Sequence, residues 1–138
     1  MDPISMLVHT YADAVCTRNA DQWGSTWTAD AEWDMGQVKL SGRDEMVATW
    51  TKIMSGFPAV VHVVHNGGAT LDEAAGTGSG RWYTSEFLRM ADGTTRTMWG
   101  FYDDEYRNVD GDWKFAKRTL TSLYSGPTDM SGDFTPPS

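Results

Sequence analysis

Apolar residues near the start of the chain recur at helical spacing. Leu7, Tyr11, Ala14 and Val15 fall on one face of a helix predicted over residues 4–19. Asn19-Ala20-Asp21 breaks the pattern, and Asp21 is placed to cap a short second helix over 22–27. Thr28-Ala29-Asp30 then turns the chain into a short strand over 31–35. After Gly36 a second short strand covers 38–40 and is closed by Ser41-Gly42. Helical spacing returns with Met46, Val47, Trp50, Ile53 and Met54. This third helix starts between Ser41 and Asp44 and is ended by Gly56 and Pro58.

Beyond Val60 the chain reads as strand. Residues 60–71 are rich in Val and alternate around His62 and His65, and 76–90 form a second long strand. Asp92-Gly93 signals a tight turn before a strand over 95–106, and Asp110-Gly111 signals another before 113–124. Long strands joined by hairpins make an antiparallel sheet, and the helices precede most of it, so the fold class is α+β. Residues 1–124 make a single domain. Gly-Pro and Pro-Pro mark 125–138 as a tail, mobile or lying across a neighbouring surface. A long twisted sheet with helices at one end curls around them and leaves a funnel suited to a small molecule.

Composition narrows the function classes. A length of 138 residues with 40% apolar content supports one core without disulfides or metals. Eleven basic against nineteen acidic residues, scattered and summing to −8, argue against nucleic acid as partner. No apolar run reaches the roughly 18 residues of a membrane span, and no signal pattern opens the chain. Cys16 stands alone, so no internal disulfide or cysteine metal cluster forms, and a cytoplasmic setting is the simplest expectation. Seven Trp, five Tyr, five Phe and eight Met exceed what a small core requires. They point either to a cavity lined with Trp and Met or to an aromatic core or oligomer interface.

The stretch from Tyr11 through Trp23, with Trp27-Thr-Ala-Asp-Ala-Glu-Trp33, resembles the opening of the SnoaL-like domains in the superfamily named for nuclear transport factor 2. The Gly42-Arg43 helix start, His62-Val-Val-His-Asn66 and the run Gly100 to Arg118 fit the same pattern, over roughly residues 5 to 124. The resemblance implies a cone-shaped barrel, a curved and mostly antiparallel sheet wrapped around three N-terminal helices, usually dimeric or trimeric. The branch it looks most like holds scytalone dehydratase, hexachlorocyclohexane dehydrochlorinase and bile-acid dehydratases. Their chemistry implies a lyase or isomerase, dehydratase- or cyclase-like, with no metal and no organic cofactor. A His on the first long strand acts as base, and an Asp late in the first helix orients it.

Carried over, His62 takes the place of that base, and Asn66 reproduces the Asn four residues on. The place of the Asp, counted back from Trp33, holds Cys16. Three chemical roles follow for Cys16: an inert small residue, a nucleophile paired with His62, or a weak hydrogen-bond partner that leaves a carboxylate to orient the ring. Asp13 and Asp34 are the carboxylates considered, and Asp34 also falls where distant ketosteroid isomerases place a base. Arg118 can bind an enolate or carboxylate through its fork of donors, or can pair with Asp103 or Asp104 across the Asp110-Gly111 hairpin. By position, Tyr11, Trp27, Trp33, Met35, Trp50, Met54, Phe57, Trp99 and Tyr102 are expected to line the pocket or the core.

The expected ligand is a small apolar molecule, polycyclic or terpenoid- or steroid-like. Two other functions fit the same sequence. One is a silent binding domain that kept the pocket, and the other is a protein-interaction module with a filled interior and an exposed apolar patch.

Overall fold

The computed structural model describes residues 2–135. Helix α1 (Pro3–Thr17) begins where Asp2 accepts hydrogen bonds from the Ile4 and Ser5 amides, at 3.1 and 3.0 Å. It stops at Arg18, whose left-handed backbone (φ 57°) returns its N–H to the last turn. Asn19, rather than Asp21, caps α2 by accepting from the Gln22 amide at 3.0 Å. That choice moves α2 forward to Ala20–Ser25 and frees Trp27 and Thr28 to open β1 (Trp27–Asp34). The remaining elements are β2 (Lys39–Ser41), α3 (Arg43–Met54), β3 (Ala59–Asp72), β4 (Thr77–Arg89), β5 (Thr95–Val109) and β6 (Asp112–Gly126).

The strands form one curved sheet in the order β2-β1-β6-β5-β4-β3, with β2 and β3 as its two open edges. All pairings are antiparallel except β1 with β6, which lie side by side in parallel. The Phe115 amide, donating to the Thr26 carbonyl at 2.8 Å, starts that contact. The three helices cover one face, α1 against β3 and α3 against β1. The architecture is therefore the α+β cone, with a sheet that curves without closing into a barrel.

The aromatic surplus goes mainly into the core. Trp23 stacks on Trp50 with ring centroids 4.7 Å apart, and both meet the inner face together with Trp27, Trp33 and Phe115. Tyr11 sits at the centre, edge-on to Trp27, Tyr102 and Phe115. Edge-to-face pairs of this kind contribute about 0.5–1.5 kcal/mol each beyond their buried area. Of the two readings of the aromatic surplus, the filled aromatic core accounts for most of the tryptophans.

One irregularity sets the geometry of the site. The β3–β4 ladder shifts by one residue between Val64 and Gly67. Near the hairpin end Asp72 pairs with Thr77 and Gly67 with Trp82, a register that would put Phe87 opposite His62 if continued. The bulge absorbs one residue, so His62 faces Glu86 instead. It also breaks the alternation that would have put Asn66 beside His62, and Asn66 is exposed. Gly67 is required there, because a Cβ would lie 2.6 Å from the Trp82 ring and against the Arg81 carbonyl.

Strand β6 runs on to Gly126, and the chain then folds back over the sheet. Thr135 donates to the Leu123 carbonyl at 2.7 Å, and Phe134 packs on Tyr124 with centroids 4.6 Å apart.

Candidate active site

His62 projects from the inner face of β3 with its side chain 3% exposed. Its Nδ1 lies 2.8 Å from Glu86 Oε2, on the residue directly across the ladder. A carboxylate can only accept, so Nδ1 carries a proton, and in the neutral ring Nε2 is then the lone-pair nitrogen. Nε2 is buried and has no hydrogen-bond partner among the described residues. A buried polar nitrogen without a partner is costly to keep. Glu86 is a quarter exposed, so the pair bridges the interior and solvent.

Beside the ring is a cavity of about 40 Å³, bounded by His62, Thr84, Glu86, Met98, Trp99, Gly100, Tyr102, Leu120 and Ser122. At roughly 10–15 Å³ of such volume per water, it holds a few water-sized groups rather than a polycyclic body. Trp99 bounds it only from behind. Its ring lies toward Phe134 on the other face of the sheet and is 41% exposed.

Cys16 reaches His62 at the backbone rather than the ring. The His62 N–H donates to Sγ at 3.2 Å, and the thiol donates to the His62 carbonyl at 3.4 Å. Because β3 is an edge strand, these two groups have no strand to pair with on that side, and the thiol serves both. The carboxylates weighed from sequence lie elsewhere. Asp13 accepts from Gln22 Nε2 at 2.9 Å, and Asp34 accepts from the Gly36 amide at 2.9 Å with Lys39 at 3.7 Å. Glu86, not singled out from the sequence, holds the ring.

Arg118 is fully buried and forms a two-pronged pair with Asp104, its direct neighbour across β5–β6, at 2.7 and 3.2 Å. Its guanidinium lies 4.0 Å from the Tyr102 ring centroid, 4.2 Å from Phe115 and 4.6 Å from Tyr11. Tyr106 donates to Asp104 at 2.9 Å and accepts from Trp82 Nε1 at 3.0 Å. Burial pushes the Asp104 carboxyl up, and the Arg118 charge opposes it. Burial is the largest influence on Arg118 and works against its cation, but the Asp104 charge and hydrogen bond, together with Tyr11 and Tyr102, raise the group above its ordinary value. Asp103 instead pairs with exposed Arg81 at 2.7 Å. Burial raises the hydroxyls of Tyr11, Tyr102 and Tyr106, so all three are neutral donors.

Of the residues expected at the pocket, His62, Trp99 and Tyr102 bound the cavity. Tyr11, Trp27, Trp33, Trp50 and Met54 lie in the core, with Met35 and Phe57 packed against it. Arg118 stands behind Tyr102, held by Asp104. Thr84, Met98, Leu120 and Ser122 were not anticipated. Their signal lies in strand register, since Thr84 is two residues from Glu86 and pairs with Gly100, which pairs with Ser122.

The arrangement of helices and open curved sheet defines an α+β cone fold. The chain belongs to the SnoaL-like domain family, whose profile matches residues 1–119. A scytalone dehydratase-like protein from Novosphingobium aromaticivorans DSM 12444 superposes with a TM-score of 0.83 at 19% identity, over 94% of this chain and 88% of that one. A hexachlorocyclohexane dehydrochlorinase, LinA type 2, gives a TM-score of 0.82 at 22% identity, over 98% and 92%. An aromatic ring hydroxylase-like protein from Novosphingobium aromaticivorans gives 0.82 at 27% identity, over 91% of each. No protein of curated function matches the sequence. Among the described residues no helix is long and apolar enough to cross a membrane.

Proposed function

We propose that this protein is a lyase or isomerase of small apolar molecules, dehydratase- or cyclase-like, in which His62 moves a carbon-bound proton. The observation that carries this reading is the orphaned, buried Nε2 of His62 beside a cavity, with Nδ1 tied to Glu86. Nε2 takes the proton from a carbon next to a carbonyl or leaving group. Glu86 fixes the ring and its tautomer, and stabilises the imidazolium that forms. Tyr102, held neutral by burial, borders the same cavity and is a donor for an enolate oxygen. Arg118 places its charge behind the Tyr102 ring and sustains this role from a distance.

The cavity takes the reacting end of a substrate, with Met98 and Leu120 among its apolar lining. The same small volume favours a second reading, a binding domain that performs no conversion. Incubation of ketones, alcohols and halides of ring compounds in heavy water, followed by proton NMR, separates the two. The enzyme reading predicts elimination or carbon–proton exchange that His62→Ala abolishes. Equal rates in both proteins would overturn it.

The assembly is read as a homodimer or homotrimer. Val61 and Phe87 are directly paired on the outer face and are 48% and 40% exposed, with Trp99 near them. The lone thiol accords with a cytoplasmic setting.

A further inference from the structure

We infer that the ligand of the His62 cavity carries a protonated amine, which the free oxygen of Glu86 receives; the inference rests on the site proposed above and adds its charge class. Glu86 Oε2 is committed to His62 Nδ1, while Oε1 accepts no hydrogen bond among the described residues. The carboxylate is a quarter exposed and borders the cavity, so Oε1 is available to a ligand. No Lys or Arg borders the cavity, and the guanidinium behind Tyr102 is fully buried and bound to Asp104. The charged group facing a ligand is therefore negative, in a chain of net charge −8.

Three consequences follow from that charge. A carboxylate, phosphate or sulfate ligand meets repulsion at close range and finds no cation to offset its desolvation. A neutral hydroxyl can donate to Glu86 Oε1 or His62 Nε2 and accept from Thr84, Ser122 or Tyr102, but it brings no charge to match the carboxylate. A primary ammonium gains a charge-assisted hydrogen bond, and its compact head fits a space of about 40 Å³ with the apolar body against Met98 and Leu120.

A matched series of phenethylammonium, phenethyl alcohol and phenylacetate tests this, with the His62 imidazole NMR signals as readout at constant ionic strength. Phenethylammonium is expected to bind roughly tenfold more tightly than the alcohol, as one hydrogen bond to a charged group implies, and phenylacetate most weakly. Glu86→Gln should level the ammonium with the alcohol, each ligand being referred to the variant's own ligand-free His62 signals. Equal binding of ammonium and alcohol, or tightest binding of phenylacetate, overturns the amine inference and leaves the catalytic reading intact. No response of His62 to any of the three overturns the inference and counts against the cavity as the site. The wild-type comparison needs no variant, so a poorly folding Glu86→Gln does not blunt the test.

Discussion

His62 and Glu86 stand opposite one another across the β3–β4 ladder, with Nδ1 and Oε2 2.8 Å apart. Neighbours on a single sheet face are held by backbone hydrogen bonds on both strands, so this pair is positioned more rigidly than two residues on loops would be. The pairing depends on the bulge between Val64 and Gly67, which makes the local backbone part of the site.

Gly67→Ala is accordingly expected to do more than remove a flexible residue. The added Cβ meets the Trp82 ring and the Arg81 carbonyl, so it must push the strands apart or undo the bulge. A loss of about 1–3 kcal/mol is expected. Chemical denaturation measures it, and altered His62 NMR signals should accompany it. An unchanged midpoint with unchanged signals would contradict this account of the bulge.

The fold was legible because it is written in periodicity. Leu7, Tyr11 and Val15 mark one helix, Met46, Trp50 and Met54 another, and Asp92-Gly93 marks the turn between β4 and β5. His62 was singled out through its resemblance to a family pattern, and it borders the cavity. Glu86 was not, because one unpaired residue near Asn66 changes which side chain faces His62, and no local propensity announces such a bulge. The fate of the tryptophans was hidden for a different reason. Composition counts Trp23, Trp27, Trp33 and Trp50 but does not distinguish a wall from a filling.

Cys16 gives a sharp test of how α1 supports β3. Its thiol both accepts from the His62 amide and donates to the His62 carbonyl. Serine can do both, whereas an aspartate carboxylate can accept but sets oxygen against oxygen at the carbonyl. Cys16→Ser should therefore change stability by less than about 1 kcal/mol, and Cys16→Asp should cost more. Chemical denaturation of both variants measures the difference, and equal costs for Cys16→Ser and Cys16→Asp would contradict these backbone contacts.

Asp104 and Arg118 are fully buried and bind each other at two points. Removing one partner strands the other charge, so Asp104→Ala should cost about 3–5 kcal/mol. Replacing both, with Asp104→Leu and Arg118→Met, should recover much of that loss. Urea unfolding of the single and double variants measures the difference. A single variant as stable as the parent would mean that water reaches the pair.

Stability at alkaline pH should follow the buried tyrosines. Burial raises Tyr11, Tyr102 and Tyr106 above the ordinary 10.0. The unfolded chain releases these protons near pH 10 and the folded chain holds them. Their contribution is thus complete below about pH 10 and falls as pH rises beyond it. Tyrosinate absorbance and near-UV circular dichroism, recorded together, should show these three ionising only as the fold is lost. Ionisation of every tyrosine with the dichroism intact would contradict the burial of this cluster.

The central claim is that Glu86 sets His62 with its proton on Nδ1 and a free base at Nε2. Long-range nitrogen–proton NMR correlation of the His62 ring, in the parent protein and in Glu86→Gln, reads that arrangement directly. The predicted result is a proton on Nδ1 in the parent protein, with its population or exchange changed by the substitution. An Nε2–H tautomer that ignores the loss of the carboxylate would contradict it.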